Sequence, residues 1–110
     1  MSDHIIVTRH PALVRYIQEN GIAPKGTPVI PHAKPRDVIG KHVYGVIPLR
    51  LAHLARSVTE VPIMREACDA KAEITYDRFC QIALPPVVLR AEVISGTYSH
   101  PYSGEGECDV

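Results

Sequence analysis

Apolar residues come in short bursts separated by prolines, glycines and charges, and the bursts alternate between two periodicities. His4-Ile5-Ile6-Val7-Thr8 is a continuous, mostly β-branched run, the mark of a strand covered on both faces. It breaks at Arg9-His10-Pro11. Pro11 suits a first helical turn, Leu13, Tyr16 and Ile17 recur at helical spacing, and Asn20-Gly21 supplies a left-handed stop. Thr27-Pro28-Val29-Ile30-Pro31-His32 reads as a second strand whose two prolines suit a sheet edge, and Lys34-Pro35-Arg36-Asp37 as a polar loop. His42-Val43-Tyr44-Gly45-Val46-Ile47 predicts a third strand. Pro48 then opens a helix in which Leu51, Leu54, Ala55 and Val58 form one stripe.

Glu60-Val61-Pro62-Ile63-Met64 is a weaker fourth strand, and residues 65–73 form a polar connector without a clear period. Thr75 is placed to cap a third helix carrying Tyr76, Phe79, Cys80 and Ala83, which Pro85-Pro86 ends. A last strand spans residues 87–94. The expected fold is α/β, a single Rossmann-like domain over residues 1–94, with a mainly parallel sheet of about five strands and helices on both faces. Residues 95–110, rich in Ser, Gly and acid, predict a flexible C-terminal tail.

At 110 residues the chain can bury roughly two thirds of its unfolded surface, enough for one core and too little for a separate substrate domain. Nothing approaches the ~20 uninterrupted apolar residues of a spanning helix, and Met1-Ser2-Asp3 lacks signal-peptide features, so a cytosolic protein without a membrane partner is expected. Cys68, Cys80 and Cys108 are odd in number and widely spaced, which fits reduced thiols. The zero net charge conceals a division. Residues 1–56 carry eight basic and three acidic groups, and residues 57–110 carry four basic and nine acidic, a split of +5 and −5. A basic side would steer an anionic ligand; the same split would also serve pairing between copies.

In an open parallel sheet, ligands bind beyond the carboxyl ends of the strands, near a switch in strand order. Thr8, Arg9 and His10 leave the first strand there, His32 the second, and Ile47, Pro48 and Arg50 the third. The helix starts at Pro11 and Pro48 would turn free amides and a positive dipole end toward the same crevice. Arg9 can grip a phosphate bidentately, and His10 can exchange a proton near neutral pH. Each has a purely structural role open to it as well, as a cap or as half of an ion pair. The six histidines include no pair at the spacing that places two imidazoles on one helical face, so neither a metal nor another cofactor is expected. No Gly-rich phosphate loop or Gly-x-Ser-x-Gly elbow occurs.

The corner Thr8-Arg9-His10-Pro11-Ala12, the following Tyr16 and Gly21-Ile22, and the segment Gly45-Val46-Ile47-Pro48-Leu49-Arg50-Leu51-Ala52 together resemble the small CRISPR-associated proteins of type III systems grouped with the ring nucleases. The resemblance covers roughly residues 4–85. Two positions depart from it: Tyr16 stands where many relatives have Trp, and His32-Ala33-Lys34 where they have His-Leu-Asp, which removes an acid. The resemblance implies a homodimer that binds cyclic oligoadenylate, above all the tetra-adenylate ring, and cleaves it without metal by in-line attack of a ribose 2′-OH. It assigns phosphate binding to Arg9 and the amides of the Pro48 corner, general acid or base chemistry to His10, and hydroxyl orientation to Thr8. His32 is a second proton carrier, and Pro11, Ile47, Leu49 and Arg50 complete the ligand-binding set. Duplex nucleic acid is not an expected partner.

Three other readings compete. A binding module would capture the cyclic ligand without cutting it. A histidine phosphatase shares the Arg-His corner, but this chain has Pro11 where that family has Gly and is too short for its second Arg and His. A purely structural protein would use the charge split for assembly alone.

Overall fold

The computed structural model describes residues 3–66 and 74–98. In chain order the elements are β1 (His4–Val7), α1 (Pro11–Glu19), β2 (Val29–Ile30), α2 (Pro35–Val38), β3 (His42–Gly45), α3 (Leu49–Ala52), β4 (Ser57–Glu60), α4 (Tyr76–Ile82) and β5 (Val87–Leu89). The strands form one sheet in the order β2-β1-β3-β4-β5. The first four run parallel and β5 is antiparallel to β4.

Strand β1 is central, and its residues explain both layers. Ile6 points to one face, where it meets Ala12, Leu13 and Ile17 of α1, Tyr44 and Phe79. Ile5 and Val7 point to the other, against Ala33, Val38, Val43, Leu51 and Ala55. A strand that buries alternate side chains in two cores must be apolar at every position, which is why it reads as a continuous run. Helices α1 and α4 cover the Ile6 face, α2 and α3 the Val7 face. Glu19 joins α1 to α4 by accepting from Arg15 Nε at 2.9 Å and from the Tyr76 hydroxyl at 3.0 Å.

Several boundaries follow the sequence reading. Helix α1 starts on Pro11 and stops at Gly21, whose φ is 63°, with Ile22 N–H reaching back to the Ile17 carbonyl at 3.0 Å. Thr75 caps α4 by accepting from the Arg78 amide at 3.2 Å. The prolines flanking β2 leave it two residues long at the sheet edge.

Others are corrected. Residues 34–37, expected as loop, enter the one-turn helix α2, started by Pro35 and closed by the Lys34 N–H donating to Asp37 Oδ2 at 2.8 Å. The helix after Pro48 is one turn rather than a stripe reaching Val58, because residues 57–60 pair with β3 as strand β4. Sheet pairing overrides a helical period whose members are split between two elements. The fourth strand thus precedes its expected place, and Ile63 makes only an isolated bridge to Ala83. The last strand ends at Leu89 instead of Ile94. Residues 95–98 belong to no helix or strand, yet the Tyr98 ring stacks on His53 with centroids 5.0 Å apart. Cys80 is a free, exposed thiol. The remainder of the expected tail, Cys68, Cys108 and most of the expected connector lie outside the described residues.

Strand β3 ends two residues earlier than its hydrophobic run suggests. Gly45 has φ 121°, a conformation L side chains rarely adopt, and a Cβ there would overlap the Val7 carbonyl, lying 3.1 Å from its carbon and closer to its oxygen. The same carbonyl accepts the Val46 N–H at 3.1 Å. Gly45→Ala is expected to destabilise the protein by roughly 2–4 kcal/mol through combined strain and overpacking, measured by urea denaturation. A variant with an unchanged midpoint would show that the approach of the two strands is not rigid.

Candidate functional site

In the strand order β2-β1-β3, the connection leaving β1 passes to the Ile6 face and that leaving β3 to the Val7 face. Chains that depart in opposite directions leave a crevice between them at the carboxyl ends of the strands.

The turn after β1 is built by Thr8. It is buried, its N–H extends the pairing with β2 by donating to the Ile30 carbonyl at 3.1 Å, and its Oγ1 accepts the His10 N–H at 3.1 Å. This side-chain turn spans two residues, holding Arg9 outward and delivering His10 to the N-cap of α1. The His10 carbonyl accepts the first helical bond, from Val14 at 3.1 Å, and no side chain caps the helix. The amides of Ala12 and Leu13 thus begin the helix with no side-chain acceptor, and Pro11 has none to offer.

Thr8, Arg9, His10, His32, Ile47 and Pro48 all line one crevice of about 460 Å³, joined by Pro31, Ala33 and Val46. They arrive from the three connections that follow β1, β2 and β3. Among the described residues its lining holds one arginine, two histidines and no acid. Neither the Arg9 guanidinium nor the His10 ring makes a hydrogen bond or ion pair with a described residue. A guanidinium without a partner among the described residues, beside a helix start that has no side-chain cap, is suited to an anion.

Three expected site residues lie elsewhere. Pro11 faces a groove beside Arg15 and Tyr76. Leu49 lines a separate hollow of about 550 Å³ with His53 and residues 91–98. Arg50 sits partly buried on α3, outside the crevice lining. The Pro48 corner is also weaker than its sequence suggests, since α3 has four residues and Pro48 is its N-cap. So short a helix has little dipole to direct, and the positive charge in the crevice lining comes from Arg9.

Sequence reasoning missed Pro31, Ala33 and Val46, apolar residues whose only signal was adjacency to a strand end. It also missed a second hollow of about 300 Å³ that shares His10 and Val46 with the crevice and adds Glu60 and Arg65. At the opposite end of the sheet, His4 Nδ1 lies 2.8 Å from the Tyr44 hydroxyl and His42 Nδ1 lies 2.7 Å from Ser57 Oγ, so these imidazoles are remote from the crevice. Among the described residues no three His, Cys, Asp or Glu side chains gather as a metal site would require, and no described helix is long and apolar enough to cross a membrane.

No protein-family model matches the chain, and neither a curated protein nor a solved structure shows significant similarity to it.

The turn's geometry gives Thr8 a measurable role. Thr8→Val keeps the shape but leaves the His10 N–H without its acceptor, and it is expected to cost about 1 kcal/mol in chemical denaturation, with Thr8→Ser restoring most of the loss. Equal stability of Thr8→Val and the parent would show that the turn does not depend on the hydroxyl.

Proposed function

We propose that the protein is a ring nuclease that binds cyclic oligoadenylate, with cyclic tetra-adenylate as its substrate, and cleaves it with its own side chains, ending a type III CRISPR signal. The observation that carries this reading is the meeting of Arg9, His10 and His32 in one crevice without an acid, at the point where the strand connections diverge. Linked phosphates need a positive, concave, preorganised surface, and this crevice has all three properties. The short motifs at the first and third strand ends, which resemble those of the small CRISPR-associated proteins, supply the specific ligand.

In this reading Arg9 holds the phosphate whose ester is cut. Fixing the adjacent ribose so that its 2′-oxygen stands in line with phosphorus supplies most of the rate by positioning. The 2′-OH attacks, the 5′-oxygen leaves, and a 2′,3′-cyclic phosphate remains. His10 carries one of the two protons this requires, from the attacking hydroxyl or to the departing oxygen, and His32, which lines the same crevice, is the candidate for the other. Thr8 positions His10 through the backbone bond already described, and its hydroxyl keeps a proton with which to orient a ligand hydroxyl.

A cyclic ligand with two-fold symmetry calls for a two-fold site, and a homodimer would supply one. Val46 and Leu49 flank the Pro48 corner with 68% and 76% of their surface exposed, apolar side chains that a second copy would cover.

The test is incubation with labelled cyclic tetra-adenylate in EDTA, followed by chromatographic separation of products. The parent protein is expected to open the ring. His10→Ala should slow cleavage about 10²–10⁴-fold while retaining binding, and Arg9→Ala should weaken binding first, read by calorimetry. A ring that binds and stays intact would make the protein a capture module; a ring that does not bind would end the proposal.

A further inference from the structure

The outer edge of the sheet carries a strand that its own chain does not complete. A strand-like pattern runs from Val87 through Ile94, and the backbone makes no turn or bend until Ser95. Only Val87, Val88 and Leu89 pair with β4. The reason is length: Leu89 lies opposite Val58, one residue from the start of β4 at Ser57, so the strand outruns its partner. Among the described residues, no backbone group of residues 90–94 bonds to another main-chain group. On its far side β5 is the last strand of the sheet. Such an edge, with its row of N–H and C=O groups, is a template for a further strand. Its side chains await cover as well: Val88 is 67% and Ile94 94% exposed, and Leu89 and Val93 are exposed too. Arg90 and Glu92 are exposed and make no hydrogen bond or ion pair with a described residue.

The order Val88-Leu89-Arg90-Ala91-Glu92-Val93-Ile94 is complementary to its own reverse about Ala91. We infer that this edge pairs antiparallel with the same segment of a second copy of the chain, with Ala91 on the two-fold axis. Arg90 then stands opposite the partner's Glu92, Leu89 opposite the partner's Val93, and Val88 opposite the partner's Ile94, and symmetry forms each pair twice. Side chains alternate along a strand, so the charged pairs share one face with Val88 and Ile94, while Leu89 and Val93 occupy the other. The charges also fix the register. Moving the axis one residue either way sets Arg90 against the partner's Arg90, or Glu92 against the partner's Glu92. The complement lies within a single segment, which identifies the partner as another copy, and the pairing continues the five-stranded sheet of one copy into that of the other. This surface is separate from the patch of Val46 and Leu49 and needs no ligand, so it is independent of the nucleotide reading.

Sedimentation velocity of the full chain without nucleotide, over a concentration series, reads the association. The parent is expected to be dimeric at high concentration and to dissociate on dilution. Arg90→Glu sets two carboxylates opposite each other and Glu92→Arg two guanidiniums, and each should raise the dimer Kd about tenfold or more. The double variant Arg90→Glu/Glu92→Arg should recover the parent's affinity, as should an equimolar mixture of the two single variants, in which opposite charges face each other again. Both positions are exposed, and circular dichroism checks that each variant is folded. A parent that stays monomeric at its highest soluble concentration, single variants that associate as tightly as the parent, or a loss that neither the double variant nor the mixture repairs would overturn the pairing.

Discussion

The Val7 carbonyl is the hinge of the molecule. It accepts the Val46 amide, and the absent side chain of Gly45 lets the end of β3 come close enough for that bond. One hydrogen bond of this kind is worth only about 1 kcal/mol net. The steric exclusion around it decides more: any side chain at Gly45 would drive apart the two strands between which the crevice opens. Because β3 turns away there, its connection departs to the Val7 face while that of β1 departs to the Ile6 face.

That hinge sits on a rigid base. Ile5, Ile6 and Val7 are each buried, in alternating cores, so the Thr8 turn grows from a strand that cannot shift without disturbing both layers. Arg9 and His10 are therefore exposed side chains carried on a backbone that both cores hold in place. Across the crevice the support is uneven. Helix α3 is a single turn, and the corner at Pro48 contributes shape through Ile47 and Pro48 more than it contributes field.

The charge division between the two halves of the chain takes on a spatial meaning. Every residue lining the crevice comes from the basic N-terminal half, between Val7 and Pro48. The neighbouring hollow draws Glu60 and Arg65 from the acidic half. The split thus falls between the two spaces, and His10 and Val46 line both.

What could be known without coordinates was what is encoded locally. The β-branched run of β1, the proline start and glycine stop of α1, the Thr75 cap of α4 and the proline-bounded edge strand each depend on residues a few positions apart, and each formed where it was expected. The same local punctuation marks strand ends, and so Thr8, Arg9, His10, His32, Ile47 and Pro48 could be chosen before their meeting was visible. The tertiary structure alone decided that residues 57–60 join β3 rather than prolong a helix, that β5 runs antiparallel, and that Glu60 and Arg65 line a hollow together with His10. These outcomes depend on pairings between segments distant in the chain, whose energy arises only when backbone donors and acceptors of both partners are brought together, and no periodicity within one segment records that.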